Sequence, residues 1–151
     1  MKTLILFSSK HGVAKLIAEK IGDSIGNVTI MNVKTSNPNL NEYDTIIMGS
    51  SIYAGSIGKE MKNFLTVNEA LLLTKRIGLF LSGLAGEAVS KYFDNNFPQD
   101  LIIHSIMNSF MGGSFDPSKA NFIERLIIKA VVGKKKCLVF LKRQLKLFQK
   151  Q

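Results

Sequence analysis

The sequence contains too few cysteine and histidine residues for several common kinds of functional site. Cys137 is the only cysteine among 151 residues, so an internal disulfide and a cysteine-based metal cluster are both excluded. With only His11 and His104 besides, the chain is also poor in metal ligands, and we expect no metal site. The chemistry of the protein therefore has to rest on other groups.

Long apolar runs are missing as well. No stretch approaches the roughly 18–20 uninterrupted apolar residues of a membrane-spanning helix. Near the amino terminus, residues 8–12 interrupt the first apolar run, which is not the pattern of a signal peptide. With a hydrophobic content of 46%, these features predict one folded domain over residues 1–151 and a cytoplasmic location.

Acidic residues are nearly absent from the last part of the chain. Residues 1–117 hold ten basic and ten acidic side chains, whereas residues 118–151 hold ten basic ones and only Glu124. The whole formal charge of +9 is therefore carried by this basic, apolar end. Such an end indicates contact with lipid headgroups, nucleic acid or an acidic partner, and a solvated helix face is an equally good interpretation.

The spacing of apolar residues predicts strands that alternate with helices. Strands are predicted over residues 2–7, 28–33, 45–48 and 76–81, with a fifth inside 101–113. Helices are predicted over residues 13–25, 58–68, 87–95 and about 116–132, followed by a basic apolar segment from about 134. This order is typical of an α/β domain with a five-stranded parallel sheet of order 2-1-3-4-5 and helices on both faces.

Three loops rich in glycine and serine follow strands one, three and four. In this strand order they meet at one crevice, outside the carboxyl ends of the strands. The first loop enters a helix, whose free N–H groups and positive dipole end suit a phosphomonoester. The other two would form a slot for a flat heteroaromatic ring. The candidate binding residues are Ser8, Ser9, Lys10, His11, Gly12, Val13, Ser50, Ser51, Ile52, Tyr53, Ala54, Gly55, Ser82, Gly83, Leu84, Ala85 and Gly86.

Several other kinds of functional site lack their defining residues in this sequence. The G-x-x-x-x-G-K-[ST] phosphate loop, the G-x-G-x-x-G dinucleotide fingerprint and the G-x-S-x-G nucleophile elbow are all absent. A phosphoacceptor receiver domain would need clustered acids after strands one and three, where this chain has serine and glycine. These classes of protein are therefore set aside.

The loop residues resemble a known family. Residues 1–12 (MKTLILFSSKHG) resemble the FMN-phosphate segment of flavodoxins, and especially of flavodoxin-like menaquinone-dependent protoporphyrinogen oxidases. Residues 43–55 are similar to the second flavin loop of that group, and residues 111–115 with 122–129 resemble its fifth strand and following helix. Over about residues 1–133, the resemblance implies a flavodoxin-like three-layer sandwich, with FMN phosphate on the first loop and the isoalloxazine ring between the other two.

The chain also departs from that group. Flavodoxins usually close the phosphate loop with threonine, and this chain has Ala14, a change that would weaken FMN binding by about 0.5–1.5 kcal/mol. The oxidases carry a long insert near the fourth strand, where this chain is short, from Ser82 to Gln99. The basic segment after residue 134 is also unlike the end of the family sequence.

Three functions are compatible with the resemblance. An FMN-dependent oxidoreductase would pass electrons from a porphyrinogen to a quinone. We assign it no catalytic side chain apart from the residues that surround the flavin. A small flavodoxin would instead carry electrons between partner proteins, and an interaction module would have lost FMN. We expect a redox partner protein, a porphyrinogen or a quinone as partner, and no nucleic acid. Peripheral contact of residues 119–150 with the anionic inner face of the membrane is also expected.

Overall fold

The computed structural model describes residues 1–10, 12–83 and 88–112. Within these ranges the strands are β1 (Thr3–Ser8), β2 (Val28–Asn32), β3 (Thr45–Ser51), β4 (Arg76–Ser82) and β5 (Asn108–Phe110). The helices are α1 (Val13–Ile25), α2 (Lys59–Leu72), α3 (Val89–Asn96) and α4 (Gln99–His104), with a 3-10 turn at Leu40–Glu42.

The strands form one parallel sheet of order β2-β1-β3-β4-β5, so the predicted topology is confirmed. Strand β1 pairs on both sides, and Phe7 stands beside Asn32 of β2 and Gly49 of β3. The crossovers that follow β1 and β3 therefore leave the sheet on either side of the same point. Ligands of open α/β sheets bind at such a switch point.

The central strands are apolar on both faces because helices cover both faces of the sheet. Ile5 and Ile47 are fully buried in a cluster with the inward face of α1. Leu4 and Leu6 point the other way, into a larger cluster with residues of α2, α3 and α4. The alternation along β1 thus divides its side chains between two cores, which gives three layers.

The region predicted to hold the fifth strand contains a helix as well. Helix α4 takes Gln99–His104, and β5 is limited to three residues. Pro98 occupies the N-cap position and Asp100 lies in the first turn, an arrangement that favours a helix start. An apolar run as short as Leu101–Ile103 fits a strand or a helix equally well, so its periodicity could not decide. The predicted helix over 116–132 and the basic segment lie outside the described residues.

A close approach between neighbouring strands fixes the centre of the sheet. Gly49 of β3 is registered with Phe80 of β4, and the fully buried Phe80 ring occupies the space that a side chain at residue 49 would need. Because sheet neighbours cannot move apart without breaking hydrogen bonds, only glycine fits at this position.

We therefore expect Gly49→Ala to lower the free energy of unfolding by about 1–3 kcal/mol, the usual cost of overpacking a core. Urea denaturation measures this change. In a double-mutant cycle, Phe80→Leu should offset part of the loss, because the smaller side chain vacates the space above residue 49. A Gly49→Ala protein as stable as the parent would contradict the packing described here.

Candidate functional site

A cavity of about 470 Å³ lies at the carboxyl ends of β1 and β3, at the switch point of the sheet. It extends between the end of β2 and the start of α2. The described residues that line it are Ser8, Ser9, Lys10, Asn32, Lys34, Ser51, Tyr53, Ser56, Ile57, Gly58, Lys59 and Glu60.

The first loop turns sharply from β1 into α1. The Gly12 N–H donates to Ser9 Oγ at 2.8 Å, and Gly12 has a left-handed conformation (φ 87°). Gly12 is the N-cap residue of α1, and no side chain of the described residues caps that helix. The N–H groups in the first turn of this 13-residue helix therefore have no side-chain cap among the described residues, and its positive end opens at this loop. His11 lies outside the described residues.

The side chains at the start of α1 belong to the core. Ala14 is fully buried in the α1 cluster, and Val13 packs against the same cluster. These two residues can therefore offer a ligand only their main-chain N–H groups. The expected cost of the missing threonine hydroxyl at position 14 stays a prediction.

The second loop contains a two-residue turn. The N–H groups of Tyr53 and Ser56 donate to each other's carbonyl oxygens at 2.9 and 3.1 Å. Ala54 (φ 51°) and Gly55 (φ 78°) are both left-handed, as a type I′ turn requires. The Tyr53 ring is 61% exposed, and Lys10 Nζ lies 3.8 Å from its centroid. This turn therefore presents an aromatic face beside the first loop.

The bases of the second and third loops are joined. The hydroxyl groups of Ser51 and Ser82 are 3.1 Å apart, and the Ile52 N–H donates to the Ser82 carbonyl at 2.7 Å. At Gly83, a β-carbon would lie 3.2 Å from that of Ile52, so the two loops are also in close packing. The predicted binding residues Leu84, Ala85 and Gly86 lie outside the described residues.

The structure brings part of the predicted set to the cavity. Ser8, Ser9, Lys10, Ser51 and Tyr53 line it, whereas the described residues of the third loop, Ser82 and Gly83, do not. The strand register places the bases of all three loops at the same end of the sheet. The hydroxyl groups of Ser50 and Ser82 are instead buried, each in a hydrogen bond within the protein.

Sequence reasoning missed the lining residues that come from β2 and α2. Asn32 is the last residue of β2 and Lys34 follows it, while residues 56–60 run from the second loop into the first turn of α2. The predicted strand order already placed β2 beside β1, and this neighbourhood was the signal available for Asn32 and Lys34. The position of these two residues along the sheet depends on the register of β1 with β2, and no sequence pattern predicted that register.

The charge of the cavity is mainly positive. Lys10, Lys34 and Lys59 are exposed lining residues, against a single lining acid, Glu60. Within the described ranges, the ion pair present is Lys15–Glu19, away from the cavity, so none of these three ammonium groups is paired with a carboxylate of the described residues. A cavity of this kind favours an anionic ligand.

Metal chemistry and membrane insertion find no support in the described part of the chain. Three or more His, Cys, Asp or Glu side chains do not gather anywhere in it as a metal site would require. Each of its helices is too short or too polar to cross a bilayer.

The sequence matches one protein-family model over most of its length. The family model described as "Flavodoxin domain" matches residues 4–137. No curated protein matches the sequence. In fold it is similar to the flavodoxin of Streptococcus pneumonia TIGR4, with 19% identity, a TM-score of 0.71, and 89% of this chain and 100% of that chain covered.

Two further solved structures share the fold. Flavodoxin 2 from Bacillus cereus is 20% identical with a TM-score of 0.70, and the match covers 89% of this chain and all of that one. A flavoprotein from Lactobacillus acidophilus NCFM, solved in complex with FMN, is 20% identical with a TM-score of 0.55 and coverage of 80% and 97%. At these identities the likeness concerns the fold.

The strained residue of the second loop gives a testable prediction. Alanine in the left-handed region costs about 1–2 kcal/mol, and glycine gives back about 0.5–1 kcal/mol as chain entropy. We therefore expect Ala54→Gly to raise the free energy of unfolding by about 0.5–1 kcal/mol, measured by urea denaturation.

Asn27 is the matched control, because it has nearly the same φ of 50° and lies outside the cavity. Asparagine tolerates this conformation, so Asn27→Gly should change stability less. Equal effects of the two substitutions would contradict the assigned strain at Ala54.

Proposed function

The chain belongs to the flavodoxin domain family, and we propose that it binds FMN at the switch-point cavity and exchanges electrons with a partner protein. The observation that carries this proposal is that a lysine-lined cavity and the exposed turn with Tyr53 lie next to each other at one end of the sheet. FMN combines the two matching groups, a phosphomonoester and a flat heteroaromatic ring.

The first loop and its neighbours fit the phosphate. Ser8 and Ser9 supply hydroxyl groups, and the uncapped start of α1 supplies N–H groups and a positive dipole end. Lys10, Lys34 and Lys59 add charge that a phosphate dianion would neutralise. Gly12 adopts the left-handed conformation of this turn (φ 87°) without steric cost, and the space beside it is open.

The second loop fits the ring system. Tyr53 presents an exposed ring beside the cavity, and aromatic rings stack well on flat heteroaromatic ligands. When bound, FMN supplies the one- and two-electron chemistry that no side chain of the protein can perform. The role of the protein is to hold the ring, to surround its polar edge with main-chain groups and to leave one side open to a partner.

A carrier function has more support than the oxidase suggested by the finer resemblance. The structural relatives named above include flavodoxins that are matched over their whole length, and this chain lacks the insert of the oxidases. Protoporphyrinogen oxidation with a quinone acceptor stays a prediction. Membrane contact through residues 119–150 stays one too, because that segment lies outside the described residues.

Flavin titration tests the proposed binding. The flavin-free protein should quench FMN fluorescence on binding and should bind riboflavin more weakly, because riboflavin lacks the phosphate. Lys34→Gln with Lys59→Gln should weaken FMN affinity by about threefold to tenfold, as expected for two partly screened charges, and added salt should reduce the difference.

Lys2→Gln is the control, since Lys2 is an exposed lysine at the opposite, amino end of β1. It should leave FMN affinity unchanged. Equal affinities for FMN and riboflavin, or no binding of either, would refute the proposed site.

Turnover separates the carrier from the oxidase. The FMN-loaded protein, once reduced, is expected to pass electrons to a protein acceptor such as cytochrome c, because the turn that would hold the ring is exposed to a protein partner. It is not expected to oxidise protoporphyrinogen with a menaquinone analogue as sole acceptor. Catalytic absorbance changes in that second assay, at a rate that depends on bound FMN, would favour the oxidase instead.

A further inference from the structure

We infer that Asn96 is a positioning residue that fixes the second loop of the site, an inference that rests on the proposed function for its effect on flavin. Asn96 is the last residue of α3 and is only 6% exposed. Its side chain does not line the cavity, so it would act through the turn at Tyr53–Ser56.

The Asn96 amide has hydrogen bonds at both of its ends. The Ile57 N–H donates to Asn96 Oδ1 at 2.9 Å, and Asn96 Nδ2 donates to the Gly55 carbonyl at 3.0 Å. A third bond, from Nδ2 to the Tyr92 carbonyl at 2.7 Å, lies within α3. The amide therefore uses its acceptor and both of its donor hydrogens.

Two of these bonds join parts of the chain that are 39 and 41 residues apart. A residue that only ended α3 would need the local bond to Tyr92 and no more. The long-range pair holds the chain on both sides of Ser56, where the turn leads into α2. Burial makes this pair costly to lose, because a buried polar group without its partner destabilises the structure.

The turn needs an external support of this kind. Ala54 has an unfavourable left-handed conformation, and Tyr53 is largely exposed, with its ring in contact with the exposed Lys10 side chain. A second tie runs from Lys62 Nζ to Ser56 Oγ at 2.7 Å, but it is solvent-exposed and is therefore worth less. Asn96 is thus the main buried polar anchor of this turn among the described residues.

The anchor also joins two loops of the site. Helix α3 begins at Val89, shortly after the third loop, and ends at Asn96 on the second loop. Movement of α3 therefore has to move the turn that carries Tyr53. Through this tie, Asn96 would set how closely the second loop covers a bound flavin.

Amide hydrogen exchange of the flavin-free protein, followed by NMR, tests the anchor without any ligand. Asn96→Ala should accelerate exchange of the Ile57 and Ser56 amides by about tenfold or more, with little change in β1 and α1. Asn96→Leu keeps the size of the side chain and loses all three bonds, so it should also accelerate exchange at Ile57 and remains informative if the space left by alanine prevents folding.

Asn95→Ala is the matched control, because Asn95 is the neighbouring asparagine of α3 and is exposed. It should exchange like the parent protein. Unchanged protection at Ile57 in both Asn96 variants, or a uniform acceleration over the whole sheet, would overturn the positioning role.

A second measurement carries the inference to the flavin. FMN affinity should fall by about tenfold in Asn96→Ala, and the visible absorbance bands of bound FMN should shift, while Asn95→Ala keeps the parent values. Local loss of protection with unchanged affinity and spectrum would overturn the link to the flavin. Failure of the parent protein to bind FMN would refute the proposed function and leave the exchange result standing as evidence for the anchor.

Discussion

Pairing of β1 with parallel strands on both sides is the constraint on which the site depends. Phe7 is registered with Asn32 on one side and with Gly49 on the other, so three strands end at nearly the same height. Their right-handed crossovers carry α1 and α2 to opposite faces of the sheet. The two connections diverge, and the space between them is the cavity. The topology of the sheet therefore determines where the cavity lies, and the serine and lysine side chains that line it then determine its chemistry.

Close backbone packing keeps this space in a fixed shape. A β-carbon at Gly58 would lie 2.6 Å from Ser8 Oγ, so the start of α2 sits directly against the end of β1. On the other face of the sheet, which α1 covers, the Phe80 ring fills the space above Gly49 and ties β4 to β3. Both contacts exist because one partner has no side chain. The cavity wall thus inherits the rigidity of the core, which is what a preorganised binding site requires.

The sequence allowed the sheet order and the meeting of the three loops to be predicted, because β1, β3 and β4 are apolar runs that end in glycine and serine. Such runs must be buried on both faces, and few arrangements satisfy this. The rest depends on contacts that no local pattern encodes. Lys34 lines the cavity because of the register between β1 and β2. Helix α4 forms from a short apolar run that fits either a helix or a strand. The bonds of Asn96 cross about 40 residues of chain.

An exposed loop is usually also a mobile one, and the second loop shows how a turn can be exposed and still be held in one conformation. Tyr53 gains little from burial, and Ala54 adds strain, so an unsupported turn of this kind would sample many conformations. The apolar side chains of Ile52 and the buried Ile57 hold the chain on either side of the turn, while the Tyr53 ring stays outside the core. The buried Asn96 amide adds hydrogen bonds to the main chain at Gly55 and Ile57 and leaves the aromatic ring exposed. Under the proposed function, this arrangement reconciles a fixed flavin environment with an edge that a partner protein can reach.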